Sequence, residues 1–136
     1  MSITVDQRNA WLDECEQIDR ALERASLLVE QDSALAFETC HRAALATAGV
    51  VRARANAERK RPLPINAWSA IARLGVIHKV RAAQVQPYVQ FRARHTELLA
   101  GRVEVDPAFI RAHIAESRQY LGAVRSELLG EAAAAG

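Results

Sequence analysis

Aromatic residues make up only 5% of the 136-residue chain, and glycine and proline contribute just six and four positions. So few strand formers and turn residues exclude an all-β sandwich or barrel. The two cysteines, Cys15 and Cys40, fall on separate predicted helices. They amount to neither a disulfide framework nor a metal-binding set, and both are expected to be reduced, small buried hydrophobes. The glycines never take the close spacing of a phosphate-binding loop, which excludes a P-loop or dinucleotide fold. No apolar run approaches the roughly 18 residues needed to cross a bilayer. Asp6, Arg8 and Asp13 interrupt the stretch where a signal peptide needs apolar continuity. A cytoplasmic chain without a membrane contact is expected.

What the chain does contain is alanine, at 27 positions, within a composition that is half hydrophobic and a quarter charged. This is the make-up of a folded, all-α protein of one domain spanning 1–136. Apolar residues recur every three or four positions from Thr4 to Glu30 (Leu12, Cys15, Ile18, Leu22, Ala25, Val29). After the polar break at Asp32 and Ser33 a second helix runs to about Arg59, burying Phe37, Cys40, Ala44 and Val51. Pro62 and Pro64 prohibit helix, so residues 60–65 form the internal linker. Asn66 caps a short helix with Trp68 and Ile71, and Gly75 is expected to end it in the left-handed conformation. A further helix over 76–100 would bury Ile77, Val80, Phe91 and Leu98 and kink at Pro87. Asp106 and Pro107 start the last helix, Gly130 should close it, and residues 131–136 should fray. The expectation is an antiparallel up-and-down bundle of four long helices plus one short, with its core over about 4–130.

The net charge of +2 conceals a strong asymmetry. Residues 1–40 carry three arginines against nine acids, net −6, whereas residues 41–102 carry twelve basic side chains against Glu58 and Glu97, net +10. Arg52, Arg54, Arg59, Lys60 and Arg61 cluster at the end of the second helix and in the linker, and Lys79, Arg81, Arg92 and Arg94 follow. Planar guanidinium groups suit phosphate oxygens, so these nine residues are the candidate nucleic-acid-binding set, and an acidic protein is the other partner such a face would take.

Enzymatic chemistry is thinly represented. Glu38 and His41 supply half of a di-iron bundle motif, and no other histidine follows a glutamate at that spacing, so neither metal nor other cofactor is expected. Cys40 and His41 are adjacent on a helix and point about 100° apart, which disfavours a nucleophile–base pair. His41, His95 and His113 read as surface or hydrogen-bonded residues, and Trp11, Trp68, Tyr88 and Tyr120 as core packing.

The run His41-Arg42-Ala43-Ala44-Leu45, the basic linker at Arg61-Pro62, then Asn66-Ala67-Trp68 with Ile71-Ala72-Arg73-Leu74, resembles a group of small HEPN-domain proteins from actinobacteria. The resemblance covers roughly residues 20–130 and departs at Gln84, Gln86, Pro87, Tyr88 and Gln90. It implies a helical bundle, often a homodimer, in a superfamily whose active members are metal-independent ribonucleases with an arginine four to six residues before a histidine. Arg73 and His78 satisfy that spacing, although Leu74 follows the arginine where the family commonly has a polar residue. The leading expectation is a non-catalytic module that binds nucleic acid or protein through its basic side. The alternatives are a ribonuclease using Arg73 and His78, or an antitoxin-like partner subunit.

Overall fold

The computed structural model describes residues 3–100 and 103–135. These are helical without strands: α1 (Val5–Leu28), α2 (Ser33–Asn56), α3 (Ala67–Ile71), α4 (Val76–Gln84), α5 (Gln86–Arg94), a 3₁₀ turn (Leu98–Ala100) and α6 (Pro107–Ala135). No helix among the described residues is long and apolar enough to cross a membrane.

Local chemistry explains the helix starts. Thr4 Oγ1 accepts from the Gln7 amide while Gln7 Oε1 accepts from the Thr4 amide, a reciprocal capping box. Asp32 accepts from the Leu35 amide, Asn66 from the Ser69 amide and Asp106 from the Ala108 amide, each satisfying a donor that the first helical turn leaves unpaired.

Chain direction follows from the side-chain pairs. Arg111 bonds Glu30 and Arg118 bonds Glu23, so α6 runs antiparallel to α1. His41 meets His113 and Arg54 meets Glu131, so α2 runs parallel to α6. His78 meets Tyr120, Arg81 meets Ser117, and the Phe91 ring lies against Phe109, so α4 and α5 run back along α6 in the opposite direction. The chain therefore goes up, down, up and down, with α4 and α5 together forming the third limb. Its core is lined by Cys15, Ile18 and Leu22 of α1, Phe37 and a run of buried alanines on α2, and Ile110, Leu121 and Val124 of α6. Alanine on α2 removes side-chain bulk and lets the flanking helices approach closely.

Several expectations need correction. The long helix expected over 76–100 is two nine-residue helices, because Pro87 has no amide to continue the ladder and instead sits in the first turn of α5. Four long helices thus become three. Gly75 is not left-handed: with φ −58° it precedes α4 as its N-cap. The second helix stops at Asn56 rather than Arg59. Gly130 does not end α6, which continues to Ala135. A mid-helix glycine costs about 1 kcal/mol, but the alanines beyond it are the best helix formers, and Glu131 is held by Arg54 at 2.7 Å.

The largest correction concerns the α4 surface. Ile77 and Val80, expected inside, are 46% and 60% exposed, while His78, Arg81, Ala82 and Val85 face the core. This helix buries its polar stripe.

Candidate functional site

The nine basic residues do not form one surface. Arg92 donates from Nε and Nη2 to the Glu38 carboxylate at 2.8 and 2.7 Å, which places Arg92, and Arg94 beyond it, beside the first part of α2. From Glu38 to Asn56 is about 27 Å along a helix rising 1.5 Å per residue, so the linker cations lie far from them. Arg81 is 2% exposed and points into the bundle, away from the linker cations. Arg54 is engaged by Glu131 and Glu58. Arg52 donates from Nε to the Pro64 carbonyl at 2.6 Å and from Nη2 to the Leu63 carbonyl at 3.2 Å. Its role is structural, because it holds the linker.

That anchoring defines the first candidate site. Leu63 is buried, its amide donates to Asn56 Oδ1 at 2.8 Å, and Arg52 holds the two carbonyls at Leu63 and Pro64. The preceding Arg59-Lys60-Arg61 is thereby pinned at one side and turned to solvent. Among the described residues none of the three pairs with a carboxylate; Arg59 Nε donates to the Arg61 carbonyl at 3.3 Å. Leu74 and Gly75 share a cleft with Arg54 and Ala55, which brings exposed Arg73 to the same end of the bundle. Exposed Lys79 shares another cleft with Asn66 and Ser69, just past the linker. The basic end thus comprises Arg59, Lys60, Arg61, Arg73 and Lys79.

The second feature is a buried polar network that sequence reasoning did not assemble. His41 Nδ1 and His113 Nε2 lie 3.1 Å apart and share one hydrogen bond. His113 Nδ1 is 3.5 Å from Ser117 Oγ, to which Arg81 Nη2 donates at 3.0 Å, and Cys40 Sγ approaches the same hydroxyl at 3.9 Å. The Tyr88 ring stacks on His113 at 3.9 Å, and its hydroxyl donates to Glu116 at 2.7 Å.

Burial sets the charge states here. It pushes His41 down to about 4, aided by the Arg92 charge, and His113 down to about 2, aided by His41 and Arg81. It pushes the Cys40 thiol up to about 12, which makes that sulfur inert as a nucleophile at neutral pH. The Glu38 carboxyl is held below the usual range by its bonds from Arg92 and then Arg42. His113 is fully buried and Ser117 is 2% exposed, so the serine–histidine contact has no route to a substrate. This network is an internal brace. Of its members Arg81 carries a sequence signal, sharing the helical stripe His78, Arg81, Ala82, Val85, which a polarity rule turns outward.

The two residues with the ribonuclease spacing differ in exposure. His78 is buried, with Nδ1 2.8 Å from the Tyr120 hydroxyl and Nε2 3.6 Å from Glu127, and it lines the cleft containing Arg54. Arg73 does not line that cleft and faces solvent. Among the described residues no group of three or more His, Cys, Asp or Glu side chains could hold a metal ion.

Compared with protein-family models, curated proteins and solved structures, the chain gives no match.

Proposed function

We propose that this chain is a non-catalytic binding module, a HEPN-like bundle in kind, that engages nucleic acid through the basic end formed by Arg59, Lys60, Arg61, Arg73 and Lys79. One observation carries the reading: three consecutive exposed cations in a loop pinned by Arg52 and Asn56, paired with no carboxylate among the described residues. A pinned loop loses less conformational freedom on binding than a free one, so more of its phosphate attraction appears as affinity. The five side chains carry no sequence-reading geometry, and the module should bind backbones with little base preference.

Anisotropy with labelled duplex DNA and with an RNA hairpin tests this. Each phosphate neutralised contributes about 0.9 to the slope of log affinity against log salt on duplex DNA. With five contacts, raising salt from about 50 to 200 mM should weaken binding by a few hundredfold. An Arg59→Ala/Lys60→Ala/Arg61→Ala variant keeps two contacts, and its loss over the same range should fall to about tenfold. Arg52→Ala removes no contact, so it should weaken binding while leaving the salt slope unchanged. Absence of binding at low salt, or an unaltered slope in the triple variant, overturns the reading.

A further inference from the structure

We infer that the cleft between α4 and α6, about 220 Å³ in volume, binds a small organic monocarboxylate, with the Arg81 guanidinium as the group that receives it. This site is separate from the basic end and does not depend on it.

Arginine is almost never fully buried without an anion, since removing its charge from water is costly. Arg81 is 2% exposed, yet every group it bonds is neutral. Nη1 donates to Gln84 Oε1 and Nη2 to Ser117 Oγ, each at 3.0 Å, and Nε is buried with no partner. The guanidinium carbon lies 5.5 and 5.9 Å from the Tyr120 and Trp68 ring centroids, which offer quadrupoles and no formal charge. Glu116 lines the same cleft but makes no ion pair with Arg81, and its Oε2 accepts from Tyr88. The structure thus holds a buried cation that no carboxylate bonds directly, Glu116 acting on it only through space.

The cleft supplies an approach to it. Arg81 and Gln84 both line the space, and Gln84 is exposed, so its amide covers Nη1 from a side chain free to turn away. A carboxylate in its place accepts from Nη1 as a charge-assisted hydrogen bond, stronger than the one from the neutral amide. Ile77, Val80 and Ala123 make an apolar wall that suits a short hydrocarbon chain behind the carboxylate. Inorganic phosphate carries no hydrocarbon to cover Ile77, Val80 and Ala123, so the apolar wall favours a short-chain monocarboxylate over it.

Thermal shift and NMR titration of the full chain with butyrate test the inference, with acetate, inorganic phosphate and butylamine at matched ionic strength as controls. Butyrate is expected to raise the melting temperature in a saturable way, acetate less because it leaves the apolar wall uncovered, and phosphate and butylamine not at all. Arg81→Met replaces a buried cation by an apolar chain of similar length and removes the donor the ligand needs, so it should lose the butyrate response. Val80→Glu alters an exposed position, leaves the core untouched and sets a carboxylate at the cleft wall; it too should abolish the response, which keeps the test valid should Arg81→Met fail to fold. No butyrate response in the wild type, an equal response to phosphate, or a response retained in Arg81→Met or Val80→Glu overturns the proposal.

Discussion

Phe37→Ala should lower the melting temperature by about 10–20 °C, the larger of the two stability losses expected from single sites. Phe37 has no exposed surface, and its ring centroid lies 5.0 Å from that of Phe91, 6.0 Å from Phe109 and 5.6 Å from both His41 and His113. It is the point where α2, α5 and α6 meet. Truncating such a ring removes its transfer free energy and leaves a cavity that helices fixed by neighbouring contacts cannot fill, about 3–5 kcal/mol together. A domain of this size holds only about 5–15 kcal/mol in all. Val80→Ala, at a 60% exposed position, removes two methyl groups with little cavity and should stay within about 0.5 kcal/mol. Urea melts of the two variants give the comparison, and a Phe37→Ala loss no larger than that of Val80→Ala would show that the aromatic cluster does not hold the three helices together.

The same contrast shows which parts of the fold could be read from residues. The stripes on α1, α2 and α6 are mostly apolar, and Thr4, Asp32 and Asp106 mark their caps, so periodicity and capping chemistry lead directly to those helices. α4 defeats that logic because its inward stripe holds His78 and Arg81 while Ile77 and Val80 face water. A pattern rule assigns polar residues outward, and only the tertiary partners Tyr120 and Ser117 reverse the choice. The basic set fails for a related reason. Charge along a chain is not charge on a surface: Arg52, Arg54, Arg81 and Arg92 are consumed by linker carbonyls, Glu131, the interior and Glu38, and all those partners but the linker are remote in sequence. The linker cations were legible because two prolines keep them out of a helix and nearby acids are few.

The second large effect is acid lability, and its sign follows from the paired histidines. His41 and His113 lie well below the ordinary imidazole value of 6.5 in the fold, at about 4 and about 2, because burial and the Arg92 and Arg81 charges oppose a proton on either ring. In the unfolded chain both titrate near 6.5. Between those values the unfolded state binds more protons than the folded one, so stability is full above pH 6.5 and falls as pH drops below it. Each pH unit in that window removes about 1.4 kcal/mol per ring kept neutral, so acidification from 6.5 to 4.5 should cost the fold about 5 kcal/mol. Glu38 adds to the loss only near and below the ordinary carboxylate range, since its carboxyl is also depressed and its bonds from Arg92 and Arg42 fail on protonation. The interval above pH 4.5 therefore isolates the imidazoles. Melting temperature measured at half-unit steps from pH 7.5 to 4.5 should stay level and then decline, and a His41→Leu/His113→Leu variant, with neither ring left to protonate, should flatten the decline. A wild-type profile that is level down to pH 4.5 would mean that the histidine pair accepts a proton inside the fold, and that the brace joining α2 to α6 is not held together by neutral rings.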